Sequence, residues 1–198
     1  MSDTKGILFA GVGGQGTLLA SRILGAVLLG HGYDIKMSEV HGMAQRGGSV
    51  VTYVKYGERV YSPLIDVNEA EYILGFEQLE TARWLPCLKE GGTLIVNDRR
   101  ISPMPVLTGA MPYPEDVVKK IRAKGVNTIS ADALAMAAEA GNGKSVNVVL
   151  IGILSSLLDF PLDSWEKALA ESVKPEFLEI NRKAFYLGRE FGEKSAKG

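Results

Sequence analysis

The chain has 198 residues, 46% hydrophobic and 23% charged, a size and balance that suit one packed domain and exclude a disordered, collagen-like or coiled-coil protein. Lys and Arg total 22 against 23 Asp and Glu, a net charge of -1, which offers no footprint for gripping nucleic acid or an anionic membrane. A single cysteine, Cys87, excludes an internal disulfide and any four-thiolate iron–sulfur or zinc site made by this chain alone.

Met1 to Lys5 runs straight into strand-like sequence without the apolar core of a signal peptide, and a reducing, cytoplasmic setting is expected. Gly6–Gly11 is a short apolar run of the kind buried on both faces of a parallel sheet. Thr17–Leu29 places Leu18, Leu19, Ile23, Leu24, Val27 and Leu28 at helical spacing, and Gly30-His31-Gly32 stops it. Tyr33–Val40 and Ser49–Tyr56 read as strands, the second rich in Val and Tyr. Glu71–Phe76 is a further strand, Glu77–Lys89 a helix bent before Pro86, and Thr93–Asn97 a strand after Gly91-Gly92.

Ile101–Pro114 holds four of the eight prolines and is predicted to be an extended loop. A helix over Pro114–Lys124 would begin with Pro at its first turn and the acids Glu115 and Asp116 against its dipole. Val126–Ser130 returns to the sheet, and Asp132 caps an alanine-rich helix to Ala140. Val146–Leu158, Leu162–Val173 and Pro175–Phe191 form the last helices; Val146–Leu158 is too short to span a bilayer, and Gly192–Gly198 is a frayed tail. The alternation predicts an α/β fold: an open, mostly parallel, Rossmann-like sheet with helices on both faces and extra C-terminal helices, in a single domain over residues 1–198.

Gly11-Val12-Gly13-Gly14-Gln15-Gly16 satisfies G-x-G-x-x-G directly after a strand and before a helix. In a dinucleotide site Gly11 permits the turn, Gly13 admits an anion and Gly16 lets helix and strand approach, while first-turn amides attract phosphate. Glu39, near the end of the second strand, stands where such a site places its ribose-binding acid. A second constellation, Glu39, His41, Gln45 and Arg46 with Gly42, Gly47 and Gly48, occupies the next connection. His41 is of a residue type suited to proton transfer, and Arg46 can bind a carboxylate or phosphate with paired hydrogen bonds. No nucleophile with an ordered base emerges. His31 is explained by its helix end, Lys144-Ser145 lacks phosphate-loop spacing, and two histidines with one cysteine make a poor metal inventory. Three readings stay open on these residues: a free-standing NAD(P)-dependent oxidoreductase, a site that serves a partner, and a glycine turn that is only compact.

The glycine turn together with Ser38-Glu39-Val40-His41-Gly42-Met43-Ala44-Gln45-Arg46-Gly47-Gly48-Ser49-Val50 resembles the gamma-type domain of the 2-oxoacid:ferredoxin oxidoreductases. The resemblance runs over nearly the whole chain, including Ile95-Val96-Asn97 and the Asn147-containing helix. It implies a subunit, inactive alone, of an enzyme that decarboxylates arylpyruvates such as indolepyruvate to acyl-CoA and passes electrons to ferredoxin; a pyruvate or 2-ketoisovalerate enzyme is the near alternative. It also implies that a large alpha subunit carries thiamine diphosphate and the iron–sulfur clusters, so that this chain would hold neither and would work in a hetero-oligomer with 2-oxoacid and coenzyme A. The cofactor-facing residues it suggests are Gly11, Gly13, Gly14, Gln15, Gly16, Glu39, His41, Gln45, Arg46, Gly47 and Gly48.

Overall fold

Strand β1 (Lys5–Val12) buries every residue after Lys5, as a central strand covered on both faces must. In the computed structural model, which describes residues 4–42 and 48–196, it is followed by α1 (Thr17–Gly30), β2 (Asp34–His41), β3 (Ser49–Gly57) and β4 (Ala70–Gly75). Then come α2 (Gln78–Trp84), β5 (Leu88–Asn97), α3 (Met104–Leu107), α4 (Val117–Ala123), β6 (Asn127–Ala131), α5 (Ala133–Ala140), α6 (Val146–Ser155), α7 (Leu162–Ser172) and α8 (Leu178–Ser195). The sheet order is β2-β3-β1-β4-β5-β6. β1, β4, β5 and β6 run parallel, and β3 is antiparallel to both β1 and β2.

Alternate residues of β1 feed two cores, because side chains of a strand point to opposite faces in turn. Ile7 and Phe9 join α1 and α5 to α8 on one face, with Leu74, Ile95 and Trp165. Leu8 and Ala10 join Val51, Tyr53, Ile73 and Leu94 on the other, under Trp84, Tyr113, Val117 and Ile121. Helices therefore cover both faces, as the alternation predicts.

Several boundaries differ from the sequence reading. The helix expected to reach Lys89 ends at Trp84; Leu85–Cys87 forms a 3-10 turn around Pro86, and β5 begins at Leu88. The helix expected from Pro114 starts at Val117, because Asp116 takes a left-handed conformation at φ 53. The proline-rich stretch contains one helical turn, α3, none of whose residues is buried. The tail expected to fray at Gly192 stays helical to Ser195, since buried Gly192 lies against Ile153 of α6. A neighbouring close approach makes α6 and α8 a tight pair: a Cβ on Gly152 would fall on the Phe185 carbonyl, and one on Gly188 on that of Val149.

The crossover β1-α1-β2 does not place β2 beside β1. β3 lies between them, with Val12 opposite Ser49 and His41 opposite Val50. The β2–β3 hairpin end thereby arrives at the carboxyl end of β1, next to the glycine turn.

Candidate functional site

Gln15 folds back into the glycine turn and closes it. Its Oε1 accepts the Val12 N–H at 2.8 Å, and its Nε2 donates to the Phe76 carbonyl at 3.0 Å, past the end of β4. Gly14 and Gly16 have φ of 91° and 79°, which L side chains rarely adopt. The Gly13 N–H donates to the Gly48 carbonyl at 3.0 Å. That donor, expected to face an anion, instead ties the turn to the hairpin. Gly11 lies within β1, where a Cβ would meet Gln15 Oε1 at 2.7 Å. At Gly16 a Cβ would meet Asn147 Nδ2 at 2.6 Å, and that amide donates to the Gly16 carbonyl at 3.2 Å. The close approach expected between helix and strand at Gly16 is therefore one between α1 and α6.

Glu39 is committed in the same way. Its Oε2 accepts from Thr52 Oγ1 at 2.8 Å and Thr17 Oγ1 at 3.2 Å, and its Oε1 lies 2.7 Å from His41 Nε2. Thr17 is the first residue of α1, so the carboxylate already answers the positive end of that helix. The Glu39 side chain is 16% exposed and that of His41 63%. A ribose-binding acid needs free oxygens; this one is held by two hydroxyls and an imidazole. Of the sequence-predicted residues, Gly11, Gly13, Gly14, Gln15, Gly16, Glu39, His41 and Gly48 meet at one end of the sheet, while Gln45, Arg46 and Gly47 lie outside the described residues.

Two cations line a cleft beside this turn: Arg99, which no sequence motif marks, and Lys144, whose spacing fits no phosphate loop. Gly14, Gln15, Asn97, Arg99, Lys144 and Val146 border a space of about 540 Å³. Asn97, at the end of β5, donates to the Phe76 carbonyl at 3.2 Å and accepts the Ala133 N–H at 3.2 Å, fixing the floor. Neither Arg99 nor Lys144 has an ion-pair partner among the described residues. The signal was present: Arg99 follows the carboxyl end of a parallel strand, where open α/β sheets bind ligands. A second cleft of about 760 Å³ lies across Ile101, lined by Ser49, Glu80, Arg83, Trp84 and Met104.

Cluster ligation does not fit this chain. Cys87 is buried in the second core, and burial pushes its thiol up, away from the thiolate that iron needs. Among the described residues no group of three or more His, Cys, Asp or Glu is placed to hold a metal ion. Among the same residues no helix is long and apolar enough to cross a membrane.

A Rossmann-like sheet interrupted by an antiparallel β3, with a glycine turn closed by its own Gln15 and a cleft lined by Arg99 and Lys144 at its carboxyl edge, defines an α/β protein of the Rossmann-like class. The chain matches the pyruvate ferredoxin/flavodoxin oxidoreductase family over residues 6–191 and belongs to it. It is 43% identical over 187 residues to the indolepyruvate oxidoreductase subunit IorB of Thermococcus kodakarensis, covering 92% of this chain and 93% of that one. A keto/oxoacid ferredoxin oxidoreductase gamma subunit from Geobacter sulfurreducens has the same fold, with a TM-score of 0.71 and 25% identity over 95% of this chain and 98% of the other. The fold also recurs within a longer chain, the 2-oxoglutarate:ferredoxin oxidoreductase of Magnetococcus marinus, with a TM-score of 0.74, 18% identity, and coverage of 98% of this chain and 32% of that one.

Proposed function

We propose that this chain is the smaller subunit of a cytoplasmic indolepyruvate:ferredoxin oxidoreductase, a single domain that holds the anionic end of coenzyme A against a large partner. Thiamine diphosphate and the iron–sulfur clusters belong to that partner, which supplies carbanion stabilisation and electron transfer to ferredoxin. Similarity to the Thermococcus subunit along nearly the full length of both chains supports the indolepyruvate reading.

The observation that carries the coenzyme A reading is the pairing of Arg99 with Lys144 around one cleft beside Gly14. Coenzyme A carries a pyrophosphate and a 3′-phosphate, which suit a planar guanidinium, a point-charge ammonium and backbone amides. In this reading Gly13–Gly16, His41 and Gly48 face the partner, and Arg46 is proposed as a further donor to anionic groups.

The test is reconstitution. Co-expressed with its thiamine- and cysteine-rich partner, the chain should support ferredoxin reduction that needs both coenzyme A and indolepyruvate. Arg99→Ala and Lys144→Ala should each raise the KM for coenzyme A roughly tenfold, the loss of one charge-assisted contact. A complex that prefers pyruvate defeats the substrate assignment, and unchanged KM values defeat the cleft.

A further inference from the structure

Glu77 is 1% exposed yet fully hydrogen-bonded. Its Oε2 accepts the Glu80 N–H at 2.8 Å and caps α2. Its Oε1 accepts from the Ile101 N–H at 3.2 Å and from the Tyr113 hydroxyl. The last two donors sit at opposite ends of the proline-rich strap, and α3 between them buries no residue. The strap has little apolar anchorage there, so one carboxylate clamps both of its ends. A buried carboxylate persists only with such donors, because bringing it out of water unpaired is very costly.

The clamp acts on the wall between the two clefts. Ile101 lines both, and Arg99 stands two residues before it. The adjoining Gln78 completes the attachment: its N–H donates to the Arg99 carbonyl at 3.0 Å and its side-chain amide to Asp98. We infer that Glu77 is a positioning residue which, by gripping Ile101 and Tyr113, holds the Asp98–Ile101 wall so that Arg99 is preset for its anionic ligand. The inference rests on the reading that Arg99 binds the phosphates of coenzyme A. Glu77 touches no reactant; it lowers the ordering cost of a contact made by another residue.

The experiment uses the assembled complex with Glu77→Asp, Tyr113→Phe and Arg99→Ala. Aspartate still caps α2, being a good N-cap, but is one methylene too short for the strap. Tyr113→Phe leaves the cap untouched and carries the test if the aspartate variant fails to fold. Both should speed amide exchange over residues 98–113 and raise the KM for coenzyme A by roughly three- to tenfold, with kcat at saturating coenzyme A kept within about twofold, as expected when only binding is weakened. Unchanged exchange in both variants overturns the clamp. A raised KM in Arg99→Ala with unchanged KM in the other two overturns the positioning role alone. Unchanged KM in Arg99→Ala removes the ligand reading and the inference's consequence for coenzyme A, while exchange still judges the clamp.

Discussion

Gln15 and Phe76 are joined across 61 residues: the Gln15 amide donates to the Phe76 carbonyl at 3.0 Å while its oxygen receives the Val12 N–H. The side chain thus occupies the mouth of a turn whose sequence advertises a phosphate cradle. Gln15→Ala would strand the Val12 N–H and leave the Phe76 carbonyl with Asn97 as its side-chain donor, costing about 1–3 kcal/mol of stability. Gln15→Glu keeps the acceptor for Val12 but turns a carboxylate oxygen toward the Phe76 carbonyl, acceptor against acceptor, so in thermal or urea denaturation at neutral pH it should lose at least as much as Gln15→Ala.

The same closure predicts no dinucleotide binding. Gln15 fills the turn, the Gly13 donor is spent on Gly48, and Glu39 is held by Thr17, Thr52 and His41. Titration calorimetry of the purified chain with NAD or NADP should give no binding heat. Micromolar binding would restore the free-standing dehydrogenase reading.

Tyr113 yields a pH prediction. Burial first, and then its hydrogen bond to Glu77, push its phenol up from the ordinary value. An unfolded tyrosine ionises near about pH 10. A group whose folded value is raised contributes stability that is fully present below the unfolded value and is lost as pH rises through the folded one. Tyr113→Phe should therefore be the less stable protein between about pH 7 and 9, and the gap should narrow above about pH 10. Denaturation midpoints that stay parallel across that range would contradict it.

The α6–α8 contact brings backbone against backbone through glycine. Gly188 meets the Val149 carbonyl so closely that any Cβ must separate the helices. Gly188→Ala should cost about 3 kcal/mol or more, beyond ordinary overpacking because backbone has to move. Leu187→Ala, at a partly buried neighbour on the same helix, should cost less.

Ionic strength probes the cleft. If Arg99 and Lys144 attract phosphate, the KM for coenzyme A should climb with salt, because exposed charges are screened over about 8 Å at physiological ionic strength. Arg99→Ala should flatten that dependence, and an equal slope in the wild type and the variant would argue against a charged contact at Arg99.

Much of the fold is legible in the residues themselves. The apolar run from Gly6, the helical spacing over Leu18 to Leu28 and the valine-rich stretch after Ser49 each name their element, because burial periodicity is local information. Family membership is legible too, in the paired glycine-turn and hairpin motifs. The ends of α2 and α4 were not: one depends on a strand pairing that recruits Leu88, the other on the left-handed conformation of Asp116.

The alternating α/β pattern, the glycine turn and the poverty of soft metal ligands are carried by composition and spacing, without reference to distant residues. Which donors are spent and which cations stand together depends on how the chain packs. Phe76 must reach Gln15, Gly48 must reach Gly13, and Lys144 must cross the sheet edge to share a cleft with Arg99. Such partners lie far apart along the chain, and the insertion of β3 between β1 and β2 fixes which of them meet at the hairpin end.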